Sequence, residues 1–226
     1  MGINPGMLDL FVEWFRDYGI LRGAEFLDIG TSQLFCGNDP DSLNRFLRHF
    51  GAEPYAGEEL SRMANKSLAA PLFHRAGLSY DAIDIAPYPH TIRVDLNTGR
   101  LPLRKRGRYT FVANSGTTEH VLNQYNAFKI IHDATRINGL MYHGVPMSGD
   151  FAHGLLSYRP RFFTRLAEAN KYEVVSRWLW AGEMRPYEEV EDAAFNRYFA
   201  AQDAWVHFLL RRKSKAPFHP PLDCLP

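Results

Sequence analysis

The chain has 226 residues, of which 46% are hydrophobic and 23% charged, a composition that predicts one globular domain with a substantial core. Its 26 lysines and arginines nearly balance 25 aspartates and glutamates, which argues against a general nucleic-acid-binding protein. The two cysteines, Cys36 and Cys224, exclude a disulfide framework and a zinc-finger spacing and favour the reducing cytoplasm. Because no stretch reaches the roughly 18 apolar residues of a membrane span, no membrane partner is expected.

The hydrophobic pattern of the first part of the chain predicts a helix over residues 7–20, which Gly19 ends, and a short buried strand over 24–29. The elements predicted next are, in chain order, a helical insertion at about 39–76 with amphipathic pieces at 43–50 and 58–73, and strands over 80–85 and 91–96.

The remaining elements are predicted in the order strand 109–114, helix from about 118 to 137, strand 140–145, helix 160–170, strand 172–180, a polar helical segment over 187–199 and strand 205–211. Strands that alternate with helices indicate an α/β fold with a mostly parallel sheet covered on both faces. We predict seven strands, with an antiparallel edge strand formed near the end of the chain. In the absence of an internal repeat or a linker, residues 1–226 are predicted to be a single domain.

The segment from Ala24 to Ser32 is the most informative stretch, because a buried strand ends in Asp28 and a turn at Gly30 follows at once. In α/β proteins a nucleotide-like cofactor lies in the crevice beyond the carboxyl end of a strand. Asp28 offers an anionic acceptor, and Gly30 lets the backbone turn tightly and approach a ligand without a Cβ in the way.

This segment is the first of four motifs at strand ends that follow one another along the chain. They are Phe26-Leu27-Asp28-Ile29-Gly30, Tyr80-Asp81-Ala82-Ile83-Asp84-Ile85, Asp95-Leu96 with Leu101-Pro102-Leu103, and the fourth strand with Glu119-His120-Val121 after it. This series resembles class I methyltransferases that use S-adenosyl-L-methionine, and the resemblance covers roughly residues 24–210. It implies a Rossmann-like methyltransferase fold and a small-molecule or glycan-linked acceptor.

The resemblance also implies which residues hold the cofactor. Asp84, followed by Ile85, would accept hydrogen bonds from both ribose hydroxyls, although a solvated turn carboxylate is the alternative. Asp95 would accept from the adenine amino group while Leu96 packs on the ring, with capping of a helix as the rival interpretation. The other expected cofactor residues are the loop at the methionine end and the end of the fourth strand, Gly30, Thr31, Ser32, Asn114 and Ser115.

Two features depart from the family pattern. Ser32 stands where a second glycine is common, which bears on cofactor affinity. The interval between Asp28 and Asp84 is also far longer than the roughly 20 residues expected in dinucleotide folds, so the insertion at 39–76 must loop out, where it could form part of an acceptor pocket. If Asp84 is not the ribose ligand, the acids that could replace it are Glu53, Glu58 and Glu59.

An oxygen nucleophile gains from a base that takes its proton, and histidine suits this task near neutral pH. His153 is the favoured candidate, because it lies in a glycine-flanked loop past the fifth strand. His120 is a second candidate that could instead cap or pack at a helix start, and His143 a third that could be a core histidine. No spacing of histidines and carboxylates calls for a metal, so none is expected.

The leading hypothesis is a methyltransferase that acts on an oxygen or nitrogen of a small molecule. An alternative is a methyltransferase-like binding or scaffold protein without catalysis. A nicotinamide-dependent oxidoreductase is disfavoured because the segment from Gly30 to Phe35 fails the Gly-x-Gly-x-x-Gly pattern at two positions. The sequence does not predict an oligomeric state.

Overall fold

The structure is a computed structural model that describes residues 2–149, 152–181, 184–186 and 203–223. The polar helical segment predicted over 187–199 lies outside the described residues. The chain divides into two compact units, Met1–Val94 and Asp95–Pro226. The expectation of a single domain stays a prediction.

The first unit begins with β1 (Gly2–Ile3) and α1 (Pro5–Asp17). Asn4 caps this helix, since its side-chain oxygen accepts a hydrogen bond from the Met7 N–H at 2.9 Å. The stripe that predicted the helix faces the core, and its buried residues are Met7, Leu8, Leu10, Phe11, Trp14 and Phe15. Gly19, at φ 65°, follows the end of the helix as expected.

The other elements of this unit are β2 (Glu25–Ile29), β3 (Gln33–Phe35), α2 (Asp41–His49), α3 (Gly57–Ala64), β4 (Asn65–Leu68), α4 (Ala70–Arg75), β5 (Ser79–Asp84) and β6 (Thr91–Arg93). β5 lies between β2 and β6, and the three strands are parallel. β3 pairs in parallel with β1 and antiparallel with β4, which makes a separate three-stranded sheet.

The insertion over 39–76 is therefore not purely helical, which corrects the prediction. The second amphipathic piece, expected as one helix over 58–73, is split by β4 into α3 and α4. Pro71 explains the division, because a proline is tolerated in the first turn of a helix, where it stands in α4, but not in a helix interior.

An aromatic cluster joins β2 and β5 to α4. Phe26 of β2 stacks on Phe73 of α4 with ring centroids 4.4 Å apart, and Phe73 stacks on Tyr80 of β5 at 5.3 Å. All three side chains are buried. Offset or edge contacts of such rings add to the hydrophobic stabilisation, so the cluster holds the two strands whose ends carry Asp28 and Asp84.

The second unit contains β7 (Tyr109–Ser115), α5 (Gln124–Ala134), β8 (Thr135–Ser148), α6 (Pro160–Asn170), β9 (Tyr172–Trp180), β10 (Met184–Pro186) and β11 (Ala204–Arg212), with single 3₁₀ turns at Leu103–Lys105 and Thr118–His120. β7 and β8 are parallel. The α/β class is confirmed, and α6 and β9 begin and end where the sequence predicted them.

The expected antiparallel edge strand is corrected in its position. β11 is antiparallel but pairs with β8 on one side and β9 on the other, while β10 pairs antiparallel with the far side of β9. The physical reason is that β11 is apolar on both faces: Val206, Phe208 and Leu209 are at most 1% exposed. A continuous apolar strand of this kind is stable inside a sheet rather than at its edge.

The helix predicted from about 118 to 137 is shorter than expected. Thr118–His120 forms a 3₁₀ turn, and α5 starts only at Gln124, after Asn123 has accepted a hydrogen bond from the Asn126 N–H at 3.1 Å. β8 begins directly at Thr135. His120 therefore lies in a short turn and not at the start of a long helix.

None of the helices in the described residues combines the length and the apolar character that crossing a membrane requires.

Candidate functional site

In the first unit, the turn after β2 has the tight geometry that its sequence predicted. Gly30 has φ 82°, a conformation that side chains with a Cβ rarely adopt, and its N–H donates to the Ile83 carbonyl of the neighbouring strand at 2.7 Å. The backbone consequently bends directly after the strand end. Thr31 and Ser32, which follow, are buried in the loop.

Asp28 has a different task from the one expected of an anionic ligand acceptor, because its side chain is fully buried. Its carboxylate accepts hydrogen bonds from the Ser32 N–H at 3.0 Å, the Ser32 hydroxyl at 3.1 Å and the Tyr80 hydroxyl at 3.0 Å. Burial outweighs these bonds and raises the pKa of Asp28 to about 7. The carboxylate thus shapes the loop, and serine at position 32 is needed for that contact.

Asp84 stands at the end of β5, with one oxygen aimed at the loop after β2 and the other at the turn that follows β5. One oxygen accepts the Thr31 N–H at 2.9 Å and the other accepts the Ala86 N–H at 3.0 Å. The carboxylate is only half-buried, and the next side chain, Ile85, is 69% exposed. Since an ionised carboxylate offers about four acceptor positions, two remain for further donors.

The insertion acids offered as substitutes for Asp84 are placed differently. Glu53 and Glu58 are exposed, and Glu59 pairs with Arg75 at 2.6 Å. Arg75 also lies over the ring of Tyr55, 3.9 Å from its centroid. Glu59 therefore belongs to a local ion pair beside a small cavity in the insertion.

In the second unit, Asp95 is exposed and folds back on its own turn. It accepts the Asn97 N–H at 2.8 Å and the Thr98 hydroxyl at 3.0 Å, and these bonds lower its pKa. Leu96 is buried. This arrangement matches the capping alternative, although of a turn rather than of a helix.

Asn114 and Ser115, at the end of β7, are both buried. The Asn114 side-chain oxygen accepts the N–H groups of Thr117 and Thr118 at 3.3 and 3.2 Å, and its amide donates to the Thr118 hydroxyl at 2.9 Å. The Ser115 hydroxyl has no hydrogen-bond partner among the described residues. Asn114 therefore builds the turn that carries the next candidate residues.

That turn carries Glu119 and His120, and the loop after β8 brings His153 to them. His153 Nε2 lies 3.2 Å from Glu119 Oε1, and the rings of His120 and His153 are 4.9 Å apart. The Glu119 carbonyl accepts the N–H groups of Leu155 and Leu156 at 2.8 and 3.1 Å, which ties the loop to the turn. Positions 150 and 151 of this loop lie outside the described residues.

Gly154 makes this close approach possible. Its φ is 71°, and a Cβ at this position would lie 2.9 Å from Glu119 Cγ. Any other residue would push the loop off the carboxylate. The glycines of this loop had indicated it in the sequence, and the structure shows that Glu119 is the residue that His153 contacts.

The three candidate histidines have different environments. His120 is exposed, while partial desolvation and the neighbouring His153 lower its pKa. His143 is 1% exposed and packs on Phe128 and Phe163, and burial lowers its pKa to about 3. His143 therefore matches the alternative interpretation, that of a core histidine.

Sequence reasoning missed Glu119 as a functional side chain, although it quoted the residue within the Glu-His-Val motif. A carboxylate followed directly by a histidine was the available signal. Glu119 is 0% exposed, which could not be foreseen because glutamate is almost never fully buried unless it is paired. Burial raises the pKa of its carboxyl above the usual range.

No protein-family model and no curated protein matches this sequence. Solved structures do resemble it. A presumed sarcosine dimethylglycine methyltransferase from Galdieria sulphuraria has a TM-score of 0.54 at 12% identity, with 91% of this chain and 85% of the other covered. A SAM-dependent methyltransferase from Archaeoglobus fulgidus has a TM-score of 0.47 at 9% identity, over 90% and 94% of the two chains. A geranyl diphosphate methyltransferase in complex with SAM has 0.47 at 14%, over 92% and 90%.

This chain has the fold of a class I methyltransferase. The resemblance predicted from the four motifs is confirmed at the level of the fold. At identities this low, the likeness concerns the methyltransferase fold alone. Among these three structures, the Galdieria protein carries the comparison, because the TM-scores of the other two are below one half.

Proposed function

We propose that the protein is a methyltransferase that uses S-adenosyl-L-methionine and methylates an oxygen or nitrogen of a small-molecule or glycan-linked acceptor. The observation that carries this proposal is the strand-end loop of the first unit, in which Gly30 turns the backbone and Asp84 stands beside it with acceptor capacity to spare. The methyltransferase fold supports the same function.

The residues of the first unit fit the ribose of the cofactor. Vicinal hydroxyls need two acceptors held at a fixed spacing, and the two oxygens of Asp84 are held in this way by the N–H groups of Thr31 and Ala86. The exposed Ile85 beside them offers an apolar surface on which a ring can pack. Asp28 acts indirectly, through Ser32, by fixing the loop.

When bound, the cofactor supplies a methyl group on a sulfonium, together with its own leaving group. The protein then has to align the acceptor and take up a proton. In the second unit, His153 is our candidate for the proton acceptor, and Glu119 orients its ring through the 3.2 Å contact. His120 borders the same cluster.

The acceptor pocket is proposed to involve the insertion of the first unit. A cavity of about 320 Å³ lies there, and its lining is Tyr55, Glu59, Arg62, Met63, Ser67, Leu68, Pro71 and Arg75. A mixed polar and apolar lining suits a small polar molecule. The near-zero net charge of the chain supports such an acceptor over a nucleic acid.

Calorimetric titration tests the proposed cofactor. We expect S-adenosylmethionine and S-adenosylhomocysteine to bind the purified chain at micromolar concentration and NAD not to bind. Binding of NAD in their place would contradict the proposal. Absence of binding by all three would favour a scaffold protein, and cofactor binding without transfer to any acceptor would favour an inactive binding protein.

Asp84→Asn is expected to weaken the binding of S-adenosylhomocysteine by about 5- to 150-fold. The amide keeps one acceptor but loses the other and the charge, a loss of about 1–3 kcal/mol for a hydrogen bond in a partly buried site. Asp17→Asn, the same change on an exposed carboxylate at the end of α1, is the matched control and should leave affinity unchanged. Equal affinities for the two variants would remove Asp84 as the ribose ligand.

A further inference from the structure

Three potential metal ligands converge in the second unit. Glu119, His120 and His153 each offer one ligand atom, and these atoms lie within 4.8 Å of one another. Glu119 and His120 come from the 3₁₀ turn after β7, and His153 comes from the loop after β8. In the part of the chain that the structure describes, this is the one group of three such residues that meets this criterion.

The buried carboxylate provides a second and independent observation. Glu119 is 0% exposed, and its Oε2 atom is buried without a hydrogen-bond partner among the described residues. Burying an acceptor without a partner is unfavourable, and most of all when the group is charged. A cation between the carboxylate and the imidazoles would satisfy this oxygen and offset the cost of burying the charge.

We propose that Glu119, His120 and His153 bind a divalent transition-metal ion. Two imidazoles and one carboxylate suit zinc and the neighbouring first-row ions, whereas magnesium and calcium prefer oxygen ligands throughout. The two glycines that border Glu119 favour such a site, because a Cβ at Gly154 would lie 2.9 Å from Glu119 Cγ and one at Gly116 would lie 3.1 Å from its Oε1.

The burial of the three residues sets the character of the site. Glu119 is buried, His153 is intermediate and His120 is exposed, so the cluster opens toward solvent on the histidine side. Ligands of one tetrahedral zinc ion are about 3.4 Å apart, given bonds of about 2.1 Å. Ligand atoms that lie up to 4.8 Å apart have to come closer by about 1 Å, and rotation of the exposed His120 side chain can supply such a movement. Three protein ligands with an open position are typical of catalytic rather than structural zinc sites.

The inference concerns ion binding and does not depend on the proposed methyl transfer. It bears on the role of His153, because a ring nitrogen that binds a metal ion cannot also accept a proton, so the ion and the proton are alternative partners of this nitrogen. Loss of activity on replacing His153 fits either role. Direct measurement of the bound ion separates them.

The test uses the full chain without a histidine tag, stripped of metal with a chelator and then titrated with Zn²⁺ by calorimetry and with Co²⁺ by visible absorption. We expect one ion per chain and the absorption bands of Co²⁺ bound to nitrogen and oxygen. His120→Ala should weaken binding of both ions at least tenfold. Because His120 is exposed, this variant should keep the fold, which circular dichroism checks.

His219→Ala is the matched control, since His219 is an exposed histidine of the same unit that lies outside the cluster. It should bind Zn²⁺ as the wild-type chain does. Glu119→Gln keeps the size of the side chain but removes its charge, and should weaken Zn²⁺ binding as His120→Ala does. Failure of the wild-type chain to bind either ion, or equal losses in His120→Ala and His219→Ala, would overturn the proposal.

Discussion

Replacing His153 by alanine is expected to lower the rate of methyl transfer by about 10²- to 10⁴-fold, the usual contribution of a positioned acid or base. The imidazole is held against the buried Glu119 carboxylate at 3.2 Å, and Gly154 fixes the loop that carries it. The affinity for S-adenosylhomocysteine should stay the same, because this residue is assigned to the acceptor and not to the cofactor. The rate is measured as S-adenosylhomocysteine formed with the best acceptor from a panel of hydroxyl and amine compounds.

The control for this experiment is again His219→Ala, which removes an exposed imidazole of the same unit. It should retain the wild-type rate. A His153→Ala variant with the wild-type rate would end the assignment of His153 to the reaction. A variant that loses cofactor affinity along with activity would instead mean that the loop supports the cofactor.

Asp28→Asn is expected to remove the contribution that Asp28 makes to the pH dependence of stability. Burial raises the pKa of Asp28 from 3.8 to about 7. The native state therefore holds this proton more tightly than the unfolded chain does, and the stability that Asp28 contributes is complete below pH 3.8 and lost as the pH rises through about 7. A shift of this size corresponds to about 4 kcal/mol of unfolding free energy.

The asparagine variant should keep the contacts of the loop. Its oxygen can accept from the Ser32 N–H and the Tyr80 hydroxyl, and its amide can donate to the Ser32 hydroxyl. Urea unfolding of both chains between pH 5 and 9 checks this prediction: the variant should gain stability over the wild type as the pH rises from 5 to about 7, by about 3 kcal/mol, and the difference should stay constant above that pH. Parallel curves would contradict it, and Asp17→Asn, on an exposed carboxylate, should give parallel curves.

Much of the fold could be predicted from the sequence because the signals were local. The apolar stripe of α1 with its glycine stop, the strand before Gly30 and the span of α6 all depend on periodicity and on the conformational preferences of single residues. The same local rules failed where two of them competed. In the insertion, helical periodicity predicted one helix over 58–73, whereas Pro71 favours the start of a new helix; the structure has β4 between the two helices.

Part of the candidate site could also be predicted. The turn at Gly30 and the strand-end position of Asp84 follow from motifs close together in sequence. Asp28 and Asp95 were identified as residues that matter, but their partners were not, since a carboxylate at the end of a strand can face a ligand, a hydroxyl or its own turn. Asp28 is fully buried, so its carboxylate faces the hydroxyls of its own unit rather than a ligand. Asp95 accepts the N–H of Asn97, two residues further on, so its carboxylate faces its own turn.

The class of the fold, most of its helices and strands and the loops in which function was to be sought followed from the amino-acid sequence, because hydrophobic periodicity and glycine turns act over a few residues. Contacts between residues distant in sequence were needed to show that β11 lies between two strands, that Asp28 supports a loop and that Glu119 meets His153 across 34 positions of the chain. The burial and pairing of charged groups depend on residues distant in sequence, and local sequence patterns do not predict which of these residues come into contact.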